Sequence, residues 1–502
     1  MQSEGDTLKK RIPAVQEWLK DKNNLMLLAI LFLAFIVRLY YFFVTKDQTV
    51  WWDEAEYMST AKHWAFGVPF ELNPQRPPLF QFLAALVFKL GLGEQFIKFF
   101  LVLLPSLIFV LAVYLLGKEM FDKKVGLIAA FLTSLSWTLL FWGSRVQPDF
   151  ISMTFQTFSI FFMWRYWKNN NHLLVILSAL FAGLGFYFKV SGLLVPISFA
   201  VFILIKDRLS AFKNKHNYYF AISFLLSLAP YFIWSKVTFN TSTAFSTGYS
   251  AGVQEKIPFA WYNLNLFYDL TGVLLFIIFI SGVLISLKFL LFFDIIIKEK
   301  KKILEHPEVF SILVLLIVSS FYIFYIRAAQ DRWVFLWLPF IFFVSAKSLI
   351  YAYSLIKKID KNIAIFLLIG LVLIVGYLQL SQANTLIKEK KDSYLPVKLA
   401  ALWMKDNSNP SDIILSMSRT QNTYYSERET YKKFEDESEK ELEEYIKEKK
   451  PKFITYSLFE QHPAWLQPWI EKNQDKLIPV KAYFADEEQK NAVLVVYEIN
   501  YN

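Results

Sequence analysis

Long apolar runs broken by short polar stretches organise most of this chain. Runs long enough to cross about 30 Å of hydrocarbon fall at roughly 25–44, 97–117, 126–143, 150–167, 172–188, 192–205, 218–236, 267–293, 309–326, 333–350 and 363–380. Their length and density predict an α-helical polytopic membrane protein of about eleven transmembrane helices. Segment 79–90 is apolar but only about a dozen residues long, so it is expected to lie as an amphipathic or re-entrant helix at the interface. From Ser381 onward the apolar runs shorten and charge rises. Helical spacing over 395–405, a charged helix over 435–449, and the short runs Ile413–Leu415, Phe453–Tyr456 and Val493–Val496 predict a small soluble α/β domain. The expected division is therefore 1–380 in the membrane and 381–502 outside it, with an outer segment 45–96 carrying juxtamembrane helices.

Charge fixes an expected orientation. Lys9-Lys10-Arg11, Lys118 with Lys123-Lys124, Lys168, the 206–215 cluster, Lys298–Lys302 and Lys357-Lys358 with Lys361 fall in every second loop. Basic loops face the cytoplasm. The N-terminus is then cytoplasmic, and the C-terminal domain lies outside a multi-pass plasma-membrane protein. The first run has no small-residue cleavage pattern and reads as a retained anchor. The net charge of +10 sits in these loops and not in the slightly acidic tail, so it is a topology signal and not a nucleic-acid one. No cysteine is present, which excludes thiolate nucleophiles and cysteine-held metal centres.

With that orientation, an unusual set of polar residues collects on the outer side. Asp53 and Glu54 follow the first span, with Tyr57 just beyond. Carboxylates are costly where a chain leaves a bilayer and mark candidate functional positions. An acid there could take a proton from an acceptor hydroxyl, although Glu54 is also placed to cap a helix. Arg76 precedes Pro77-Pro78-Leu79, where proline opens a helix, and its guanidinium suits a lipid phosphate. In the tight turn 144–149, Asp149 is either a second acid or the partner of Arg145. Lys189, alone in an apolar run, and Arg327 and Arg332 around Asp331 all oppose the basic-inside pattern, and each is a candidate phosphate ligand.

These residues resemble the GT-C superfamily of membrane glycosyltransferases, most of all the branch of protein O-mannosyltransferases and lipid A aminoarabinose transferases. The matching positions are Asp53-Glu54, Tyr57, Ala61, Gly67, Arg76 and Pro77-Pro78-Leu79. Asp149, Phe186 with Lys189, and Arg332-Trp333 with Pro339 follow. The resemblance spans roughly 25–350. Trp51-Trp52 ahead of the acid departs from it, and the soluble domain is unlike the β-trefoil insertions of the eukaryotic mannosyltransferases.

The resemblance implies a GT-C fold and an inverting transfer of a sugar from a polyprenyl- or dolichyl-phosphate carrier to a protein, lipid or glycan. Asp53 would be the general base, with Glu54 and Asp149 as further catalytic acids. Arg76, Lys189 and Arg327 or Arg332 would bind the phosphate, and Tyr57, Arg145 and Asp331 would line the pocket. Mg2+ or Mn2+ held by Asp53, Glu54 and Asp149 is a further option. Two other classes compete: a flippase of lipid-linked sugars, which would carry charges at midplane depth, and a membrane scaffold presenting the C-terminal domain.

Overall fold

The computed structural model describes residues 17–246, 264–291, 302–327, 330–431, 438–484 and 490–501. The basic clusters Lys9–Arg11 and Lys298–Lys301 lie outside these residues.

The membrane part consists of α1 (Lys22–Val44), α2 (Trp52–Phe66), α3 (Leu79–Lys89), α4 (Glu94–Met120, with a π-helical stretch Lys98–Leu103), α5 (Lys123–Leu135), α6 (Trp137–Gly143), α7 (Asp149–Asn169), α8 (His172–Phe188), α9 (Leu194–Asp207), α10 (Lys215–Phe239), α11 (Asn265–Leu291), α12 (Pro307–Ser320), α13 (Trp337–Ile356) and α14 (Lys361–Lys390). Among the described residues, eight helical runs are long and apolar enough to span a bilayer, and α5 with α6 makes a ninth across a 53° bend.

The two remaining runs, 150–167 and 172–188, are α7 and α8. Helix α8 has only 17 residues. Helix α7 has 21 but buries Ser152, Gln156, Thr157 and Ser159 inside the bundle. Ser152 Oγ donates to Gly185 O at 2.7 Å and Ser159 Oγ to Ser178 O at 2.8 Å, so the polar face of α7 is satisfied by α8. Close approach also joins α4 to α5. A Cβ on Gly126 would stand 2.8 Å from Tyr114 O, closer than any side chain tolerates.

The bend at Ser136 frees backbone groups that need partners in an apolar medium. Gln379 supplies them, accepting from Trp137 N at 3.0 Å and donating to Thr271 O at 2.8 Å. One side chain of α14 thus ties α6 to α11. Arg38, in the last two turns of α1, is 4% exposed and is held by Ser106 Oγ at 3.0 Å and by the carbonyls of Ser134 and Thr133 at the end of α5.

Among the described residues, the basic loops at 118–124 and 168 meet at one end of the bundle. Lys123 reaches Asp21 at 2.6 Å and Lys168 approaches Glu119 at 3.6 Å. Helices α2 and α3 and the C-terminal domain lie at the other end.

That domain comprises α15 (Leu395–Asp406), β1 (Ile413–Leu415), α16 (Arg419–Ser426), β2 (Glu429–Tyr431), α17 (Glu439–Lys449), β3 (Phe453–Ser457), α18 (Leu466–Lys472), β4 (Leu477–Phe484) and β5 (Ala492–Ile499). Its five-stranded sheet has the order β2-β1-β3-β5-β4. The strands β2-β1-β3 are parallel, and β5 runs antiparallel to both β3 and β4. Helix α14 continues to Lys390, ten residues past the boundary read from hydropathy. Its polar end still buries Gln379, Ala383 and Ile387 against the bundle, so hydropathy falls before the helix does.

Candidate active site

Helix α2 begins where Glu54 Oε2 accepts from Trp51 N at 3.3 Å. It ends at Gly67, whose φ of 76° suits a residue without Cβ. Asp53, Glu56 and Tyr57 sit at i, i+3 and i+4 and share one face, whereas Glu54 points about a quarter-turn away. Ala55, Met58 and Ala61 seat the helix against Phe80, Ala84 and Ala85 of α3. The C-terminal domain holds it from outside. Ser59 Oγ donates to Thr420 O at 3.1 Å, and Lys62 Nζ donates to Tyr424 O at 2.9 Å and to Glu427 at 2.7 Å.

Asp53 lies between two arginines. Arg76 Nη2 donates to its Oδ1 at 2.6 Å, and Arg332 Nη2 donates to its Oδ2. Arg76 arrives from a turn in which Asn73 accepts from Gln75 N at 2.9 Å and donates to Glu56 at 2.5 Å. It also donates to Glu56 Oε2 at 2.8 Å and to the Tyr57 hydroxyl at 3.2 Å. Arg332 lies 4.9 Å over the Trp142 ring of α6.

Asp331 turns the opposite way. It accepts from Trp142 Nε1 at 2.7 Å and Thr138 Oγ1 at 3.1 Å, which pins the segment that delivers Arg332. Lys189 breaks α8 with an extended backbone and pairs with Asp149 at the start of α7.

Burial alone would push the Asp53 carboxyl up. The attraction of Arg76 and Arg332, with their hydrogen bonds, outweighs it and holds the group well below the usual carboxylate range. Burial pushes the Tyr57 phenol up and draws the Lys189 ammonium down, and Asp149 offsets only part of the Lys189 shift.

The four cations Arg76, Arg145, Lys189 and Arg332 meet the four carboxylates Asp53, Glu54, Glu56 and Asp149 in direct ion pairs. The constellation is formally neutral.

The structure adds the following to those expectations. Arg145 does not pair with Asp149. It reaches Glu54, with Nη2 3.2 Å from Thr49 O and its guanidinium 3.5 Å above the Trp51 ring. The α2 turn presents Glu54 to it, while Lys189 claims Asp149. Arg327 is not the arginine that reaches Asp53. It closes a π-helical turn with φ 58° and donates to Phe324 O at 3.4 Å. Asp331 anchors α6 through Trp142 and Thr138. Finally, Asp53, Glu54 and Asp149 do not form an oxygen cage for Mg2+ or Mn2+. Each is neutralised by its own cation, and among the described residues no group of three His, Asp or Glu is placed to hold a metal.

Glu56 and Asn73 belong to the cluster and are absent from the sequence-derived set. Helical spacing from Asp53 is the signal that marks Glu56.

Residues 75–234 match the family model described as dolichyl-phosphate-mannose-protein mannosyltransferase. No curated protein matches the chain. Among solved structures, ArnT from Cupriavidus metallidurans in the apo state superposes with a TM-score of 0.67 at 12% identity, covering 97% of this chain and 98% of that one. The same enzyme bound to undecaprenyl phosphate gives 0.63 at 12% identity, covering 94% and 97%. The archaeal oligosaccharyltransferase AglB from Archaeoglobus fulgidus, in complex with an inhibitory peptide and a dolichol-phosphate, gives 0.60 at 13% identity, covering 88% and 70%. The chain is thus a multi-pass membrane protein with the fold of the GT-C membrane glycosyltransferases, as its sequence leads one to expect. The shared architecture extends through its C-terminal domain in the comparison with ArnT.

Proposed function

We propose that this protein transfers a sugar from a polyprenyl-phosphate carrier to an acceptor hydroxyl at the extracytoplasmic face of the membrane, with inversion at the anomeric carbon. The observation that carries the proposal is the seating of Asp53 between Arg76 and Arg332, with Lys189 and Asp149 beside them. The solved relatives of this fold that hold undecaprenyl phosphate or dolichol-phosphate support a lipid-phosphate donor. The charged groups of the site cluster at one end of the bundle, with Arg38 satisfied by neighbouring carbonyls inside it, which favours transfer over transport. Basic loops at the opposite end support an extracytoplasmic side for the site.

In the reaction, the donor phosphate takes over guanidinium donors from Asp53. The acceptor oxygen attacks C1 from the face opposite the phosphate, and its proton passes to Asp53. The C1–O bond to phosphate breaks, and its electron pair stays on the departing polyprenyl phosphate. That group gains a negative charge, which Arg76, Arg332 and Lys189 stabilise. Asp331 positions Arg332, and Glu56 and Asn73 position Arg76.

The experiment that tests the proposal measures polyprenyl phosphate released by the purified protein from a panel of polyprenyl-phosphate sugars. Removing an arginine bonded to the phosphate should weaken donor binding by about tenfold to a hundredfold, since a hydrogen bond to a charged group contributes roughly 1.5–3 kcal/mol. Arg332→Ala should show that loss, and Arg327→Ala should leave donor affinity unchanged. Equal losses in the two variants, or no release by the wild type from any donor, would remove the assignment.

The depressed Asp53 pKa carries a second prediction. In the free enzyme the acid limb of kcat/KM falls below the ordinary carboxylate range. Once phosphate draws the arginines away, the partly buried Asp53 loses cationic partners, and its pKa rises. The acid limb of kcat should then lie at higher pH than that of kcat/KM, by about 1–3 units. Coincident limbs would contradict this exchange of partners. The contribution of Asp53 to stability follows the same sign. It is present above the unfolded pKa of about 3.9 and is lost only as pH falls towards the lower folded value, so neutral pH leaves it intact.

A further inference from the structure

Two adjoining cavities of about 340 and 240 Å³ run between the 69–74 segment and the C-terminal domain, and they share Phe70, Glu71 and Arg419. The inner one is floored by Trp52 and Glu56, and the outer one reaches Tyr431 at the end of β2. Glu56 shares Arg76 with Asp53, so the inner end of this groove opens one residue away from the proposed base.

The walls have a definite chemistry. Trp52, Phe70 and Tyr431 supply aromatic faces, with the Arg419 guanidinium 5.5 Å over the Phe70 ring. Glu56, Glu71 and Glu429 supply carboxylates, and Asn73 an amide. Glu56 is matched by Arg76, which leaves Glu71 and Glu429 against the one guanidinium of Arg419, itself 3.4 Å from Glu71. An anionic acceptor would meet net repulsion there. Carboxylates accept hydrogen bonds from hydroxyls in fixed directions, and rigid aromatic faces cover the apolar faces of sugar rings. The size of the outer cavity is that of a small-molecule site, about 300–1,000 Å³.

We infer that this groove binds the acceptor and that the acceptor is an uncharged glycan, presented hydroxyl-first to Asp53. The inference rests on the transfer reaction proposed above. It gives the C-terminal domain a substrate-selecting role: α16 and β2 form one wall of the groove, and the segment after α2 forms the other.

The test is calorimetric titration of the full-length protein in nanodiscs with neutral manno- and gluco-oligosaccharides. A serine/threonine-rich peptide and a bisphosphorylated glucosamine disaccharide lipid serve as the other arms. Saturable binding of a neutral oligosaccharide, weakened at least tenfold in Phe70→Ala and in the exposed-loop variant Glu71→Lys but kept in Asp53→Asn, is the expected result. No oligosaccharide binding, binding unaltered in both groove variants, or tighter binding of the peptide or the phosphorylated lipid would overturn the inference. Release of polyprenyl phosphate, measured on the same samples, separates the two readings. Donor cleavage without oligosaccharide binding sinks the groove alone, and oligosaccharide binding without donor cleavage sinks the transfer reaction.

Discussion

Replacing Asp53 by asparagine should lower sugar transfer by about 10²- to 10⁴-fold, the usual contribution of a positioned general base, while the donor binds at least as tightly as before. The second half of this result is the more diagnostic. In the resting protein the Asp53 carboxylate occupies donors of both Arg76 and Arg332. A neutral amide competes for them far less well than an anion does, so a lipid phosphate no longer has to displace a charge. Turnover and donor affinity should therefore move in opposite directions, which mere loss of fold cannot produce. Single-turnover transfer and equilibrium binding of polyprenyl phosphate measure the two separately. A variant that lost donor affinity together with turnover would show that Asp53 organises the site and does not act as its base.

The second large effect concerns stability. Arg145 and Glu54 are 1% and 2% exposed, so their ion pair is sealed from water. Removing one partner of such a pair leaves an uncompensated buried charge at a cost of about 3–5 kcal/mol. Glu54→Gln should accordingly lower the thermal unfolding temperature by several degrees. It should also loosen the start of α2, because the same carboxylate caps the helix at Trp51 N. Combining it with Arg145→Met should recover most of the loss, since a matched apolar pair often does as well as a buried ionic one. An unchanged unfolding temperature in the single variant would mean that the pair is more hydrated than its burial indicates.

The membrane architecture was legible because it depends on local composition. Each apolar run is helical over most of its described residues, 126–143 as the bent pair α5 and α6, and Pro77-Pro78 does open a helix at Leu79. The i, i+3, i+4 spacing that puts Asp53, Glu56 and Tyr57 on one face of α2 is likewise local, although the motif alone drew attention only to Asp53, Glu54 and Tyr57. The pairings are not local. Arg332 meets Asp53 across 279 positions and Arg145 meets Glu54 across 91, and nothing in either segment encodes the other's distance. Asp149 therefore found Lys189 instead of its neighbour Arg145.

In the soluble domain, β3 and β5 were visible as β-branched runs. Strand β4 was hidden by Pro479 and Lys481, which are tolerated because it is an edge strand with a register shift between those two residues. The three-residue strand β2, Glu429-Thr430-Tyr431, carries no hydrophobic run at all and owes its place to β1.

Arg38 has a consequence for how the molecule is made. Its hydrogen-bond partners Ser106, Thr133 and Ser134 lie 68, 95 and 96 positions later. At about 5–20 residues per second of synthesis, the first span waits several seconds with its cation matched only by Ala34 O in the same helix, at a cost of up to about 2.5–3.5 kcal/mol, the value at a helix centre. Biogenesis is then the step at which this residue is most exposed to failure. Arg38→Leu should insert more readily in a truncated nascent chain yet give a less durable finished protein, a trade that glycosylation mapping of arrested ribosome complexes would register directly.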